Sequence, residues 1–144
     1  MAGTGSRSRS GQASAGARPL KLFDSTVLIA HLRGVPAARA LLEEAVDSDE
    51  AACSVLSRVE IEGGMRSGER AAVARLFSAL YLEPVSDAIA RRAGEYLRSH
   101  RRSHPGVDIV DYVVVATADV LEADLLTLNV RHFPMRKGLK PAFV

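Results

Sequence analysis

The chain has 144 residues, of which 47% are hydrophobic and 25% charged, values typical of one compact domain that folds without a disulfide. Cys53 is the only cysteine and no apolar stretch is long enough to span a membrane, which excludes a disulfide framework and a membrane protein and fits a reducing cytoplasm. The net charge of +2 comes from residues 1–18, which hold three arginines and no acid, because the other 126 residues carry 16 bases against 17 acids.

Residues 1–18 are rich in Gly, Ser and Ala and have no large aliphatic side chain after Met1. Such a segment buries too little apolar surface to offset the entropy of ordering it. The sequence therefore predicts a disordered tail over 1–18 and one folded domain over 19–144. The basic balance belongs to the tail, so it does not indicate that the folded domain binds nucleic acid.

From residue 20 onwards, short strand patterns alternate with helix patterns. Strands are predicted at 20–23, 51–54, 81–85 and 125–128, and the last segment has room for one more short edge strand. Helices are predicted after Asp24 up to 32, from 36, over 55–67 and 68–80, from 86 to about 100 and from 108 to about 122. This alternation implies parallel pairing, so the predicted fold class is α/β, a three-layer α/β/α sandwich with a mainly parallel central sheet.

Three acids interrupt apolar segments close to the predicted strand ends. Asp24 directly follows the first strand, Glu60 lies in the first turns of the helix after the second strand, and Asp111 lies near the start of the 108–122 helix. That helix is ~22 Å long, so it can cross the sheet and must begin at the same edge as the other two acids. Asn129, after the next strand, returns to this edge, where open α/β sheets bind ligands. The four side chains are therefore expected to be neighbours.

Three carboxylates in one pocket resist ionisation unless some hold protons or a divalent cation lies between them. Carboxylates with an amide carbonyl and several waters suit Mg²⁺ or Mn²⁺, which polarises a phosphate oxygen and activates water for attack. The four histidines have no ligand-like spacing and do not compete for the metal. The Ser25 and Thr26 hydroxyls could hold Asp24 in place, bind a water on the metal or cap the next helix.

Helix capping explains each acid when that acid is taken alone. Asp24 follows a strand as an N-cap does, and Ser57-x-x-Glu60 matches a capping box. Asp108 with Asp111 resembles an acidic helix start. We predict that Asp108 is the cap, because Asp111 adjoins the apolar VVVATA run. Capping does not predict that all three predicted site acids meet at one edge.

Four segments together resemble the PIN-domain ribonucleases, specifically the VapC-type toxins of bacterial toxin–antitoxin pairs. They are LFDSTVLIAHL at 22–32, SVLSRVEIEGGMRSG at 54–68, DYVVVATA at 111–118 and ADLLTLNVRHFPM at 123–135. By this resemblance, which covers about residues 20–144, Asp24, Glu60 and Asp111 match the metal-binding acids of the family. Asn129 stands where many members have a fourth acid and others have Asn, and it lowers the negative charge of the site.

The resemblance implies a cytoplasmic Mg²⁺-dependent endoribonuclease, with Mn²⁺ as the other candidate ion. It is expected to be the toxin of a type II toxin–antitoxin system that hydrolyses RNA phosphodiester bonds by a metal-activated water. The resemblance also implies a homodimer and a VapB-type antitoxin that binds near the active site. The apolar helices 26–32 and 37–46, with Leu56 and Val59, offer a groove for that antitoxin, unless these residues only fill the core.

Basic residues that would hold the RNA substrate lie in three places. Arg131 and His132 directly follow Asn129, so Arg131 is predicted to contact substrate phosphate, with Thr26 as a second substrate-binding candidate. The second place is a cluster for which a solvated helix face is the favoured explanation. Its members are Arg91, Arg92, Arg98, Arg101 and Arg102. A third cluster comprises Arg136, Lys137 and Lys140, after Arg131.

Two other functions remain open from the sequence. Asn129 is compatible with a catalytically silent PIN domain that binds RNA or protein, and metal binding without RNA cleavage would favour this alternative. A receiver-like phosphoacceptor with an acidic pocket is the other alternative. It normally needs paired acids after the first strand and a late lysine, whereas Asp24 stands alone and Lys137 and Lys140 come very late.

Overall fold

The computed structural model describes residues 19–144, so the predicted tail over 1–18 lies outside the described residues. In the described part, four strands form one parallel sheet in the order β3-β2-β1-β4. They are β1 (Lys21–Phe23), β2 (Ala51–Ser54), β3 (Tyr81–Glu83) and β4 (Asp124–Leu126). β1 is central, because Lys21 pairs with Ala51 on one side and with Asp124 on the other.

The helices of residues 19–144 cover both faces of this sheet. They are α1 (Ser25–Leu32), α2 (Pro36–Asp47), α3 (Val55–Gly63), α4 (Arg70–Ala79), α5 (Asp87–His100) and α6 (Ile109–Leu121). Phe23 and Cys53 point into the core formed with α1, α2 and α4. Leu22 and Ala52 point into the core formed with α6, because successive strand residues face opposite sides. The predicted α/β sandwich is confirmed.

The boundary between α3 and α4 differs from its prediction. The two helices are separated by residues 64–69, where Gly68 has φ +84°, a left-handed conformation that glycine adopts without strain. At the other end of α3, the Ser54 hydroxyl accepts a hydrogen bond from the Leu56 N–H at 3.1 Å and is the N-cap. The predicted capping box of Ser57 and Glu60 is therefore wrong, because the helix begins earlier and Ser57 lies inside it.

The C-terminal segment does not add the predicted edge strand. The chain leaves β4 at Leu126 and forms a 3₁₀ turn at Val130–His132. One backbone hydrogen bond, from the Ala142 N–H to the Thr127 carbonyl at 2.8 Å, joins the end of the chain to the sheet. Pro134 and Pro141 have no N–H group to donate to a β-ladder, which explains why pairing does not extend.

Helix α6 is the most buried helix of the fold and begins at the carboxyl edge of the sheet. Residues 112–118 are all buried, although the run at 113–115 is β-branched and such residues favour strands. The helix is held by its start: Asp108 is the N-cap, and the Asp108 and Asp111 carboxylates each accept a hydrogen bond from the other's backbone N–H at 3.1 Å. The prediction that Asp108 caps this helix is confirmed.

The fold also bears on the chemistry of the single cysteine and on membrane insertion. Cys53 is fully buried in β2, and burial raises the pKa of its thiol to about 12, so it is not a nucleophile near neutral pH. Among residues 19–144, no helix combines the length and the apolar character needed to cross a bilayer. The cytoplasmic location stays a prediction.

Candidate active site

Asp24 lies at the centre of the carboxyl edge and is only 4% exposed. It occupies the N-cap position of α1, yet its side chain makes no capping hydrogen bond. Its Oδ2 atom instead accepts hydrogen bonds from the hydroxyls of Thr26 and Thr127, each at 2.8 Å. Capping therefore does not explain the burial of this carboxylate.

The two threonine hydroxyls are themselves held by the backbone. The Thr26 hydroxyl accepts from the Leu128 N–H at 3.0 Å, and the Thr127 hydroxyl accepts from the Asn129 N–H at 3.0 Å. Each hydroxyl proton is thereby directed to Asp24, which fixes the orientation of the carboxylate. The Thr26 hydroxyl also lies 3.4 Å from that of Thr127, and its predicted contact with substrate stays a prediction.

Thr127 was not predicted as a site residue. The sequence does indicate its position, since the two-residue period of a strand places it on the same side of β4 as Leu125. Leu125 packs against the α6 core, and the side chain of Asp24, two residues after Leu22, points to that side as well. A hydroxyl at the end of a strand lies at the carboxyl edge of the sheet as an acid does, so Thr127 could have been predicted in the same way as Asp24.

Asp111 has a second role besides closing the capping box of α6. Its Oδ2 atom lies 3.0 Å from the Nδ1 atom of His132, on the 3₁₀ turn. Burial raises the pKa of Asp111 to about 6, and the charges of Asp108 and Asp24 act in the same direction. The hydrogen bond from the Asp108 backbone and the charge of His132 oppose the shift. Asp111 is thus a carboxylate whose ionised form is disfavoured in the folded protein.

Glu60 extends the same electrostatic cluster from α3. Loss of surrounding solvent raises the pKa of its carboxyl group, and the negative charges of Asp24 and Asp108 add to this effect. A hydrogen bond with the Ser25 hydroxyl partly offsets it. Ser25 and Thr26 therefore contact two different acids, Glu60 and Asp24, whereas the sequence had not indicated a contact between Ser25 and Glu60.

The two remaining predicted site residues follow β4. Asn129 is partly buried and lies three residues after the end of β4, and its backbone N–H donates to the Thr127 hydroxyl, which in turn donates to Asp24. Arg131 is exposed in the 3₁₀ turn and forms no ion pair with any residue of 19–144. His132, which had been excluded as part of a histidine metal cluster, contacts an acid of the site instead.

The carboxylates fit a divalent cation by their chemistry. All side-chain hydrogen bonds shown for Asp24 and the contacts shown for the Asp111 carboxylate end on Oδ2, which leaves an Oδ1 oxygen on each acid as a donor. Within residues 19–144, no three His, Cys, Asp or Glu side chains form a group that could hold one ion. Mg²⁺ keeps several waters and commonly uses one or two carboxylates, so this donor set fits it.

A parallel α/β sheet with neighbouring carboxylates at its carboxyl edge defines a class of α/β proteins with an acidic site at that edge. Residues 21–136 match the family model of the PIN domain, and the chain belongs to the PIN domain family. The matched range contains every predicted site residue. This membership leaves no support for the receiver-like alternative, which also lacks the paired acids after β1.

Curated and structural relatives agree with the family match. The chain is 52% identical over 122 residues to Ribonuclease VapC10 of Mycobacterium tuberculosis (strain CDC 1551 / Oshkosh), over 85% of this chain and 92% of that protein. Ribonuclease VapC19 of the same strain is 48% identical over 125 residues, 86% of this chain and 100% of that protein. The fold is shared with DNA-bound VapBC from Salmonella typhimurium, with a TM-score of 0.71 and 20% identity over 86% of this chain and 97% of that one. A toxin–antitoxin complex from Klebsiella pneumoniae gives 0.70 and 21% over 85% and 98%.

Proposed function

We propose that this chain is a divalent-metal-dependent endoribonuclease and the toxin of a type II toxin–antitoxin system. The observation that carries the proposal is the pair of Asp24 and Asp111, two largely buried acids in which the charge of Asp24 disfavours the ionised form of Asp111 and each carboxylate leaves one oxygen for a ligand. A cation offsets this repulsion. The names of the relatives, Ribonuclease VapC10 and Ribonuclease VapC19, support RNA as the substrate.

In this mechanism Asp24 and Asp111 would hold Mg²⁺ or Mn²⁺, with Glu60 and the Asn129 amide as further candidate oxygen donors of the same edge. When bound, such an ion would supply polarisation of the scissile phosphate and activation of the attacking water. Thr26 and Thr127 orient the Asp24 carboxylate, and the Asp108 N–H with His132 orients that of Asp111, so neither acid has to reorganise when the ion binds. Arg131, exposed and without a described partner, is placed to contact substrate phosphate.

The direct test is an RNA cleavage assay with purified, antitoxin-free protein. Total RNA is incubated with Mg²⁺ or Mn²⁺ and then with EDTA, and Asp24→Asn and Asp111→Asn are assayed in parallel. Asp119→Asn is the matched control, because Asp119 lies on the same helix as Asp111 but away from the site. We expect discrete metal-dependent cuts that disappear in the two site variants and persist in the control. Cuts that survive both site substitutions contradict the assignment.

The silent PIN domain is the second candidate function, and Asn129 is the observation that favours it. An amide in place of a fourth acid lowers the negative charge available to a second cation. If the parent protein binds Mn²⁺ and RNA yet cuts no RNA with either ion, a binding module replaces the nuclease. Asn129→Asp tests the point directly, since a gain of cleavage in that variant would show that the amide limits catalysis.

A VapB-type antitoxin is the proposed protein partner. Between α1, α2 and α4 lies a cavity of about 360 Å³ lined by apolar side chains such as Leu32, Leu42 and Leu76 and by four charged ones. The expected groove is thus supported for α1 and α2, whereas α4 replaces the predicted contribution of Leu56 and Val59. An apolar helix of the antitoxin fits such a groove. The VapBC complex among the structural neighbours supports this partner.

The homodimer is also a proposal. Helices α3 and α6 pack against each other, and Val59 and Ile109 on them are 65% and 64% exposed. Aliphatic side chains this exposed on adjoining helices favour a second copy as the cover. Light scattering of the parent should give the mass of a dimer, and Val59→Asp with Ile109→Asp should give that of a monomer. A monomeric parent would contradict this interface.

A further inference from the structure

The arginine cluster on and after α5 separates in the structure into two groups. Arg91 forms an ion pair with Asp87 at 3.0 Å, and Arg92 forms one with Asp119 at 3.1 Å while its guanidinium lies over the Tyr96 ring. These two arginines therefore have acidic partners within the folded domain. The remaining three are exposed and form no ion pair with any residue of the described chain; they are Arg98, Arg101 and Arg102, here called the arginine patch.

The arginine patch lies in a stretch of uniform sign. Residues 96–107 contain three arginines and no acid, so their charge is +3 with neutral histidines. The folded domain outside this stretch carries more acids than bases, and the site acids Asp24, Glu60 and Asp111 belong to it. A positive segment on a slightly acidic domain is an attraction point for a polyanion that the site itself repels before a cation binds.

The segment that carries the patch is tied to the protein. The chain leaves α5 through a turn in which the His104 N–H donates to the His100 carbonyl at 2.7 Å, and the Val107 N–H then donates to the His104 carbonyl at 3.2 Å. Val107 is buried in the same cluster as Tyr112, the neighbour of Asp111. Because Asp108 is six residues further along the chain than Arg102, their Cα atoms are at most about 22 Å apart. The patch is therefore close enough to the site for one RNA chain to reach both.

Helix capping electrostatics explains only part of the patch. Arg98 lies in the last turn of α5, where a cation stabilises the negative end of the helix dipole. Arg101 is the C-cap residue and Arg102 follows it, so three cations lie at one helix end, although one cation is enough to interact favourably with the helix dipole. A dipole role changes thermal stability, whereas a ligand role changes affinity for the ligand and its salt dependence.

We propose that Arg98, Arg101 and Arg102 bind backbone phosphates of RNA outside the cleaved bond. This inference rests on the proposed function and adds a second anchoring surface for the same substrate. Contacts to phosphate carry no sequence information, so the patch raises affinity and sets the salt dependence without selecting the cleavage sequence. The guanidinium groups suit this role because each presents several donors and stays charged at all relevant pH values.

The experiment measures RNA binding rather than cleavage. Anisotropy of labelled single-stranded RNA of about 20 and about 4 nucleotides is titrated with full-length protein in EDTA, at several KCl concentrations between about 50 and 200 mM. The test variant is R101A/R102A. The matched control is R66A/R70A, which removes two exposed arginines flanking the start of α4. R101K/R102K keeps the charge, and thermal unfolding checks that each variant is folded.

For the long RNA, R101A/R102A should weaken binding at least about tenfold at low salt and reduce the slope of log affinity against log salt by about 1.4, which is about 0.7 for each lost phosphate contact. The lysine variant and R66A/R70A should stay near the parent, and the short RNA should not distinguish the variants. Equal slopes for R101A/R102A and R66A/R70A, or an equal loss on both RNA lengths, would overturn the proposal. RNA binding with this pattern but without cleavage would retain the patch and reject the nuclease, and no RNA binding by the parent would reject both.

Discussion

The same helix carries two aspartates whose surroundings are opposite in sign. Near the start of α6, Asp111 faces Asp24 and Asp108, and burial together with these charges raises its pKa to about 6. Near the end of α6, burial would also raise the pKa of Asp119, but hydrogen bonds from Tyr96, Arg136 and Arg92 outweigh burial and lower it.

The difference shows how to separate a functional acid from a structural one. Asp119, on α6, joins this helix to α5 and to the C-terminal segment, and its charge is compensated by partners from both. Asp111 is left partly uncompensated among acids, a cost that folding alone does not explain. Substitutions at the two ends of α6 should therefore have different effects on cleavage, stability and metal binding.

Cleavage should depend on one end of α6 only. Asp111→Asn and Asp24→Asn should each lower the rate of RNA cleavage about 1,000-fold, because losing several kcal/mol of charge stabilisation costs a factor of ten for each ~1.4 kcal/mol. Asp119→Asn should keep the parent rate per folded molecule. Initial rates on a defined RNA oligonucleotide in Mn²⁺ measure this, and a comparable loss in Asp119→Asn would erase the distinction between the two ends.

Metal-free stability should depend on pH in a way set by Asp111. Because the folded protein binds the Asp111 proton more tightly than the unfolded chain, protonation stabilises the fold below about pH 4, and this contribution is lost as the pH rises through about 6. Asp111→Asn has no such term. Its free energy of unfolding, relative to the parent, should therefore rise between pH 4 and pH 7, by on the order of 2–3 kcal/mol.

Urea unfolding in EDTA at several pH values measures this difference. The comparison is repeated in a His132→Asn background, since His132 contacts Asp111 and acts on its charge. Saturating Mn²⁺ should then stabilise the parent more than Asp111→Asn. A difference that is flat with pH would show that Asp111 acts only as a helix cap.

At the other end of α6, the negative charge of Asp119 should stabilise the folded state. The lowered pKa of Asp119 means that its contribution is present above about pH 4 and lost as the pH falls through the lower pKa of the folded state. Asp119→Asn should therefore lower the free energy of unfolding at pH 7 by about 1–2 kcal/mol, because two partly exposed arginines lose their partner. A double-mutant cycle with Arg136→Ala should show that the two losses are not additive.

The part of this site that could be predicted from the sequence is the part set by topology. The negative charge of Asp24 acts on both Glu60 and Asp111, because strands that alternate with helices return their carboxyl ends to one edge, and that requires no knowledge of side-chain direction. The Asp111 contact with His132 depends on the 3₁₀ turn after β4, a shape that no periodicity indicates. The start of α3 at residue 55 was predicted, but the capping-box match of Ser57 and Glu60 was misleading, because Ser54 and Ser57 are both good N-caps and only Ser57 has an acid three residues later.

The smallest expected effect concerns two buried threonines that the sequence does not distinguish. The Thr127 hydroxyl donates to Asp24, whereas the Thr117 hydroxyl, between the two ends of α6, donates to the Val113 carbonyl at 2.7 Å within its own helix. Thr127→Val should weaken Mn²⁺ binding up to about tenfold, because Asp24 loses one of the two donors that orient it. Thr117→Val should leave metal binding unchanged although a buried hydroxyl is lost in both variants.

Calorimetric titration of metal-free protein with Mn²⁺ gives both affinities, and Thr127→Ser, which keeps the hydroxyl, should restore the parent value. The serine variant separates orientation from packing, since it loses a methyl group but not the hydrogen bond. Equal metal affinities for Thr127→Val and Thr117→Val would mean that the Thr26 hydroxyl alone holds Asp24. The Thr127 hydrogen bond would then stabilise the turn after β4 rather than the cation site. A polar group within the site would in that case have a structural role and not a functional one.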